Sequence, residues 1–99
     1  MMRTLEITDQ AEADIEEIYF YTAVEGYQIY AESFASKAFK TFYLLCHNPL
    51  IGTERTRSGE GVRFHPMEKV NIFYRVVSDR LQILRVHHRS LDCDKLRLQ

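Results

Sequence analysis

Residues 68–92, EKVNIFYRVVSDRLQILRVHHRSLD, constrain the fold more than any other stretch of this chain. Val70, Ile72, Tyr74 and Val76 recur at every second position, with Asn71, Phe73, Arg75 and Val77 between them. Alternation of this period, rich in β-branched and aromatic side chains, specifies a strand. Ser78-Asp79 supplies a tight polar turn without the favoured Asn-Gly pair. The second run, Leu81–His88, changes phase midway. Leu81 and Ile83 fall on one face, Leu84 and Val86 on the other. A run apolar on both faces suits a central strand covered on each side. The sequence therefore predicts a β-hairpin, with Arg75, Arg85, His87, His88 and Arg89 on it or just beyond it.

The rest of the chain is read around that hairpin. Its 99 residues make one domain, 1–99. Residues 3–7 alternate weakly and predict a short first strand. Asp9 followed by Glu12 has the spacing of a capping box, with Thr8 as the other candidate cap. Apolar positions at helical spacing then predict a helix over about Asp9–Glu25, ended by Gly26. A second helix, about Tyr27–His47, carries the stripe Ala31, Phe34, Ala35, Ala38, Phe39, Phe42 and Leu45. Asn48-Pro49 stops it. Residues 53–61 are polar and flanked by glycine, hence a loop, and they carry Arg55 and Arg57. Val62–His65 reads as a short strand that Pro66 ends. Leu91–Leu98 reads as a helical turn or an extended tail. The order β-α-α-β-β-β predicts an α+β fold, a helical hairpin packed on one face of an antiparallel sheet.

No apolar run approaches the roughly 18 residues that span a bilayer, and the N-terminus lacks a signal peptide's apolar stretch. The expectation is a cytoplasmic protein with no membrane partner. Cys46 and Cys93 lack ligand spacing, and His87 and His88, adjacent on a strand, point to opposite faces. No metal and no cofactor are expected. The net charge of −1 hides an asymmetry. Residues 1–52 carry three cations against eight acids, a balance of −5, and residues 53–99 carry ten against six, a balance of +4. That split fits a polyanionic or acidic partner for the second half, and on charge alone it fits two simply solvated faces slightly better.

Several local patterns occur in an order that resembles a known family. Ala11, Asp14, Ile15 and Ile18 match a first-helix pattern A-x-x-D-[IL]-x-x-I. Asn48-Pro49-Leu50-Ile51-Gly52 resembles a P-x-x-G turn, and Val62-Arg63 an arginine-bearing strand. Phe73-Tyr74-Arg75-Val76 resembles a Y-R-[VI] strand. Ile83–His88 followed by Asp92 resembles the ending I-L-R-V-[LI]-H-x-x-x-D. Together these resemble the ParE-like toxins of type II toxin–antitoxin modules, within the RelE/ParE superfamily. Two departures are His87, where an apolar residue is usual, and Arg89, where glycine is common. The resemblance implies a toxin neutralised by a small antitoxin, ParD-like or other, in a hetero-oligomer. It implies DNA gyrase as the target and inhibition without catalysis. The alternatives are a RelE-like ribosome-dependent mRNA endoribonuclease and a degenerate non-toxic binding module. Loop 53–61 lacks the lysine cluster of RelE-like nucleases, which favours the gyrase reading.

RNA cleavage needs a group that moves the 2′-OH proton and cations that stabilise a pentavalent phosphate. The candidates are Arg63, His65, Arg75, Arg85 and His88. Alternation places Arg63 and His65 on one face of their strand, and Arg75 opposite the Ile72–Tyr74 stripe. If the helices cover that stripe, Arg63, His65 and Arg75 share the open face. The alternative is a solvated face whose arginines pair with Glu54, Glu60 or Asp92, with His88 structural. For an antitoxin, the apolar contacts are expected at Ile18, Tyr19, Tyr21, Tyr30 and Phe34. The charged contacts are expected at Arg63, Arg75 and Arg85.

Overall fold

The central hairpin forms where the alternation places it. In the computed structural model, which describes residues 3–24, 26 and 28–88, strand β4 (Val70–Val77) pairs antiparallel with β5 (Arg80–His88). The two-residue turn holds Ser78 at φ +59, the left-handed geometry that such a tight loop demands. The phase change in the second run is a β-bulge. Tyr74 faces Ile83 and Phe73 faces Arg85, which leaves Leu84 without a partner. The extra residue returns Val86 to the face of Leu81 and Ile83, so only Leu84 lies on the far side. The expectation that Leu84 and Val86 share a face fails for this reason.

The other elements assemble around the hairpin as strand β1 (Thr4–Ile7), helices α1 (Asp9–Val24) and α2 (Gln28–His47), and strands β2 (Thr53–Glu54) and β3 (Arg63–Met67). The sheet order is β1-β5-β4-β3-β2. The α+β class with both helices on one face stands. The sheet, however, is mixed rather than antiparallel, because β1 runs parallel to β5. A chain that leaves β1 through a helical hairpin and two antiparallel strands returns in β5 with the direction of β1. Strand β3 runs through Pro66 to Met67. Strand β2 covers only Arg63 and Phe64, so Pro66 lies on an edge, where a missing donor breaks no central ladder.

Thr8, not Asp9, caps α1. Its hydroxyl accepts the Ala11 N–H at 3.2 Å and donates to the Ile83 carbonyl at 2.8 Å, so one side chain starts the helix and ties it to β5. Gly26, at φ +90, follows the end of α1. The buried stripe of α2 is Ala31, Phe34, Ala38, Phe42, Leu45 and Cys46, with Phe39 turned largely to solvent. From Phe34 onward this stripe, with Ala11 and Ile15 of α1, packs on Val70, Ile72, Tyr74, Leu81, Ile83 and Val86. Ala11, Ala31 and Ala38 are fully buried, and their size lets the helices approach closely. Each large side chain buried here contributes about 1.5–3 kcal/mol. On the opposite sheet face Val62, Phe73 and Leu84 make a smaller cluster with Phe64, over whose ring the Arg55 guanidinium lies at 5.8 Å.

Candidate partner-binding surfaces

The five candidate catalytic groups do not converge. Arg63 and His65 lie across from Tyr74 and Ile72, on the face of the main core, while Arg75 lies across from Gln82 on the other face. The shared open face expected for Arg63, His65 and Arg75 is therefore absent. Alternation fixes faces within a strand, but only the register between strands fixes them relative to each other, and one residue of slip inverts the answer. Arg63 donates to the Gly52 carbonyl at 2.7 Å and to the Glu54 carboxylate at 3.2 Å, the structural pairing foreseen as the alternative. Arg75 donates to Gln82 at 2.9 Å, and the Gln82 amide donates in turn to Glu6. His88 ends β5, exposed and away from Arg63.

Arg85 belongs to the framework. It donates to both Asp14 oxygens, at 2.7 and 3.0 Å, and the same carboxylate accepts the Val86 N–H at 3.0 Å. Strand β1 pairs with β5 only as far as Ile83. Beyond that point Asp14, from α1, satisfies the edge that a longer strand would have met. The hydrogen bond to Asp14 raises the Arg85 pKa above its ordinary value, outweighing the opposing effect of burial.

Tyr74 locks the turn after α2. Its hydroxyl donates to the Pro49 carbonyl at 2.7 Å and accepts the Gly52 N–H at 2.9 Å. Burial raises its pKa, so the neutral phenol, able to donate and accept, persists at physiological pH. With Arg63 on the Gly52 carbonyl, residues 49–52 are held from two strands.

The expected antitoxin contacts divide into two sets. Ile18, Tyr30 and Phe34 line a groove of about 820 Å³ between the helical hairpin and the end of the sheet. Thr22, Ser33, Lys37, Glu68, Lys69, Val70 and His88 complete its walls, and Lys37 pairs with Glu68 at 2.6 Å. Tyr19 and Tyr21 line a separate hollow on the α1 flank with Glu16, Glu17 and Phe20. Around the hairpin tip Phe20, Tyr21, Val24, Ile29 and Tyr30 are all more than half exposed. An apolar area of that kind on a small domain marks an interaction surface.

Comparison with known proteins bears on what that surface serves. The family of the ParE toxin of type II toxin–antitoxin systems, parDE, matches residues 5–92. The chain belongs to this family. Among solved structures, this ParE-family chain is similar to one from the chromosomal ParDE toxin–antitoxin system of P. aeruginosa. The identity is 26%, with 88% of this chain and 96% of that chain covered, at a TM-score of 0.75. It shares its fold with a chain of the toxin–antitoxin complex RelBE2 from Mycobacterium tuberculosis. There the identity is 22%, the coverage 90% and 100%, and the TM-score 0.59. No curated protein matches it.

The family-like motifs of this ParE-family toxin are framework devices. Asp14 and Arg85 close the β5 edge, and Pro49, Gly52, Tyr74 and Arg63 form one knot. Sequence reasoning missed Lys37, Lys69, Thr22 and Ser33 in the groove. A sequence signal existed for Thr22 and Lys37, which fall four residues after Ile18 and three after Phe34 on their helices. Lys69 carried none, because the β3–β4 turn places it. Among the described residues no three His, Cys, Asp or Glu gather as a metal site, and no helix is long and apolar enough to cross a membrane. The predicted tail contacts, including Asp92, lie outside the described residues.

His87, at the position where the motif usually has an apolar residue, gives a pH dependence. Burial, and secondarily the charge of Arg85, lowers its pKa below the ordinary histidine value. The unfolded chain therefore takes up the proton first, and stability falls as pH drops below about 6.5. The loss levels off once the folded protein protonates too. Melting curves between pH 8 and pH 5 are expected to show a smaller acid-side drop for His87→Leu than for the parent. Equal drops would assign the acid sensitivity to other groups.

Proposed function

We propose that this chain is the toxin half of a type II toxin–antitoxin pair, that it inhibits DNA gyrase by binding, and that a small antitoxin neutralises it from the groove beside the helical hairpin. The observation that carries this reading is the fate of the basic residues. Arg63 and Arg85, the cations on which phosphate chemistry would lean, are committed to the Gly52–Glu54 segment and to Asp14. The helical hairpin meanwhile turns Phe20, Tyr21, Val24, Ile29 and Tyr30 outward. Such a surface is suited to holding a protein, with aromatic anchors at its centre.

In this reading Ile18, Tyr30 and Phe34 take the antitoxin's apolar residues, and Tyr19 and Tyr21 extend the contact along the α1 flank. Lys69, with Lys37 beside it in its pair with Glu68, does the charge steering first assigned to Arg63 and Arg85. Arg75, half-buried and bonded to neutral Gln82, keeps its charge for the same partner. The toxin acts in the cytoplasm, where gyrase and its DNA are found. The purified chain is expected to block gyrase supercoiling, to leave ribosome-bound mRNA uncut, and to lose the block when the neighbouring small gene product is added. Cut mRNA with supercoiling intact would replace this reading by the endoribonuclease one. An inert chain that still binds the antitoxin would make it a binding module.

A further inference from the structure

A second apolar surface lies at the far end of α2, and we infer that it is where the toxin meets an acidic, apolar segment of its target protein. The inference rests on the reading that the target is gyrase, and it names the part of the toxin that gyrase contacts. Helix α2 has 20 residues, so at about 1.5 Å per residue its ends lie roughly 30 Å apart. Ile29 and Tyr30 stand at the first end, beside the antitoxin groove. His47 stands at the second, and the chain continues from it into the turn Pro49–Gly52.

In that turn Leu50 is 74% exposed and Ile51 48%, and Val76 of β4 beside them is 39% exposed. With Arg3, His47 and Pro49 they line a shallow cleft of about 680 Å³. Two large apolar side chains placed side by side in a polar turn do nothing for the core. They are nevertheless held firmly. Tyr74 binds the turn at Pro49 and Gly52, Arg63 binds it at Gly52, and the Ile51 N–H donates to Asn48. A turn already ordered presents its side chains without the entropy loss that a mobile loop suffers on binding.

Charge selects the occupant. The cleft is lined by the Arg3 guanidinium and the His47 imidazole and by no carboxylate, and Arg3 makes no ion pair among the described residues. The hollow on the α1 flank has the opposite character, with Glu16 and Glu17 and no cation. A segment bearing Asp or Glu next to apolar residues satisfies both Arg3 and the Leu50–Ile51 pair, since a guanidinium meets a carboxylate with two parallel hydrogen bonds. The acidic flank of α1 would repel the same segment. The cleft and the antitoxin groove lie at opposite ends of α2, roughly 30 Å apart, so partners on the two surfaces need not compete.

The test uses Leu50→Asp and Arg3→Glu, singly and together, in the full chain. Neither side chain belongs to the Tyr74–Arg63 knot, and Arg3→Glu keeps the test open should Leu50→Asp disturb the turn. Melting temperature, affinity for the antitoxin from the neighbouring gene, and affinity for purified gyrase are measured together. Each variant is expected to keep the first two and to lose at least about tenfold in gyrase affinity, with a similar loss of supercoiling inhibition. Folded variants that bind gyrase like the parent overturn the inference and leave the gyrase reading intact. Folded variants that lose antitoxin and gyrase affinity alike also overturn it, because the surfaces are then one. A parent chain with no affinity for gyrase overturns both.

Discussion

Gly52→Ala is expected to cost about 3–5 kcal/mol of stability, close to the whole margin of a small domain. A Cβ built at Gly52 falls 2.3 Å from the Tyr74 hydroxyl and 2.8 Å from both the Phe64 carbonyl oxygen and the Tyr74 ring. Ring and hydroxyl are buried, and the carbonyl is part of the β3 backbone. None can yield without moving a strand, and overpacking of this kind costs about 1–3 kcal/mol. Displacing the hydroxyl also unpairs the Pro49 carbonyl and the Gly52 N–H, which adds about 1–3 kcal/mol. Tyr74→Phe alone removes those bonds without the clash and should cost about 2 kcal/mol. The double variant should cost less than the two losses added, since the 2.3 Å contact is gone while the carbonyl contact remains. Urea denaturation measures all three. A Gly52→Ala midpoint within error of the parent would mean that the turn has room the structure denies it.

Asp14→Ala should cost about 2–4 kcal/mol. It leaves the Arg85 guanidinium without its carboxylate and the Val86 N–H without an acceptor at the edge of β5. Complete burial would cost more. The side chains of Arg85 and Asp14 are 27% and 14% exposed, so water takes over part of the lost interaction. Asp14→Asn can keep its oxygen for Val86 and the Arg85 Nε, but it loses the charge and turns its amide NH2 toward the Arg85 Nη2 donor, so it should cost less than Asp14→Ala without matching the parent. Arg85→Ala should be milder than Asp14→Ala, because Asp14 then still holds the Val86 N–H. Amide exchange at Val86 provides the local reading, with faster exchange in Asp14→Ala than in Arg85→Ala. This ordering also governs how toxicity data are read. An Arg85→Glu variant places one carboxylate against another and should lose activity by misfolding. An Arg85→Ala variant of unchanged stability that binds neither partner would return Arg85 to the contact surface.

The sequence by itself determined most of the local elements, although β2 fell in the stretch read as a loop and β3 ran past Pro66. Period-2 alternation with a two-residue turn specified β4 and β5. The apolar stripe and the Asn48-Pro49 stop specified α2. The phase change between Ile83 and Leu84 was visible as well, but it read as a strand apolar on both faces, and only the pairing with β4 makes it a bulge. The order of these elements and the motif residues within them were enough for the α+β class and the family. What the motif residues do was not legible. Asp14 and Arg85 are 71 positions apart, and Tyr74 meets Pro49 across 25. Their contacts exist only once α1 lies along β5 and the turn after α2 lies under β4. The candidate site failed at the same level. Periodicity sorts residues to one side or the other of their own strand, but nothing within β3 records which side of β4 it will match. Tertiary structure decided that register, and with it whether the arginines face a partner or the framework. The backbone ladder is indifferent to which residues pair, so the choice falls to the side chains of distant segments that one register buries and the other exposes.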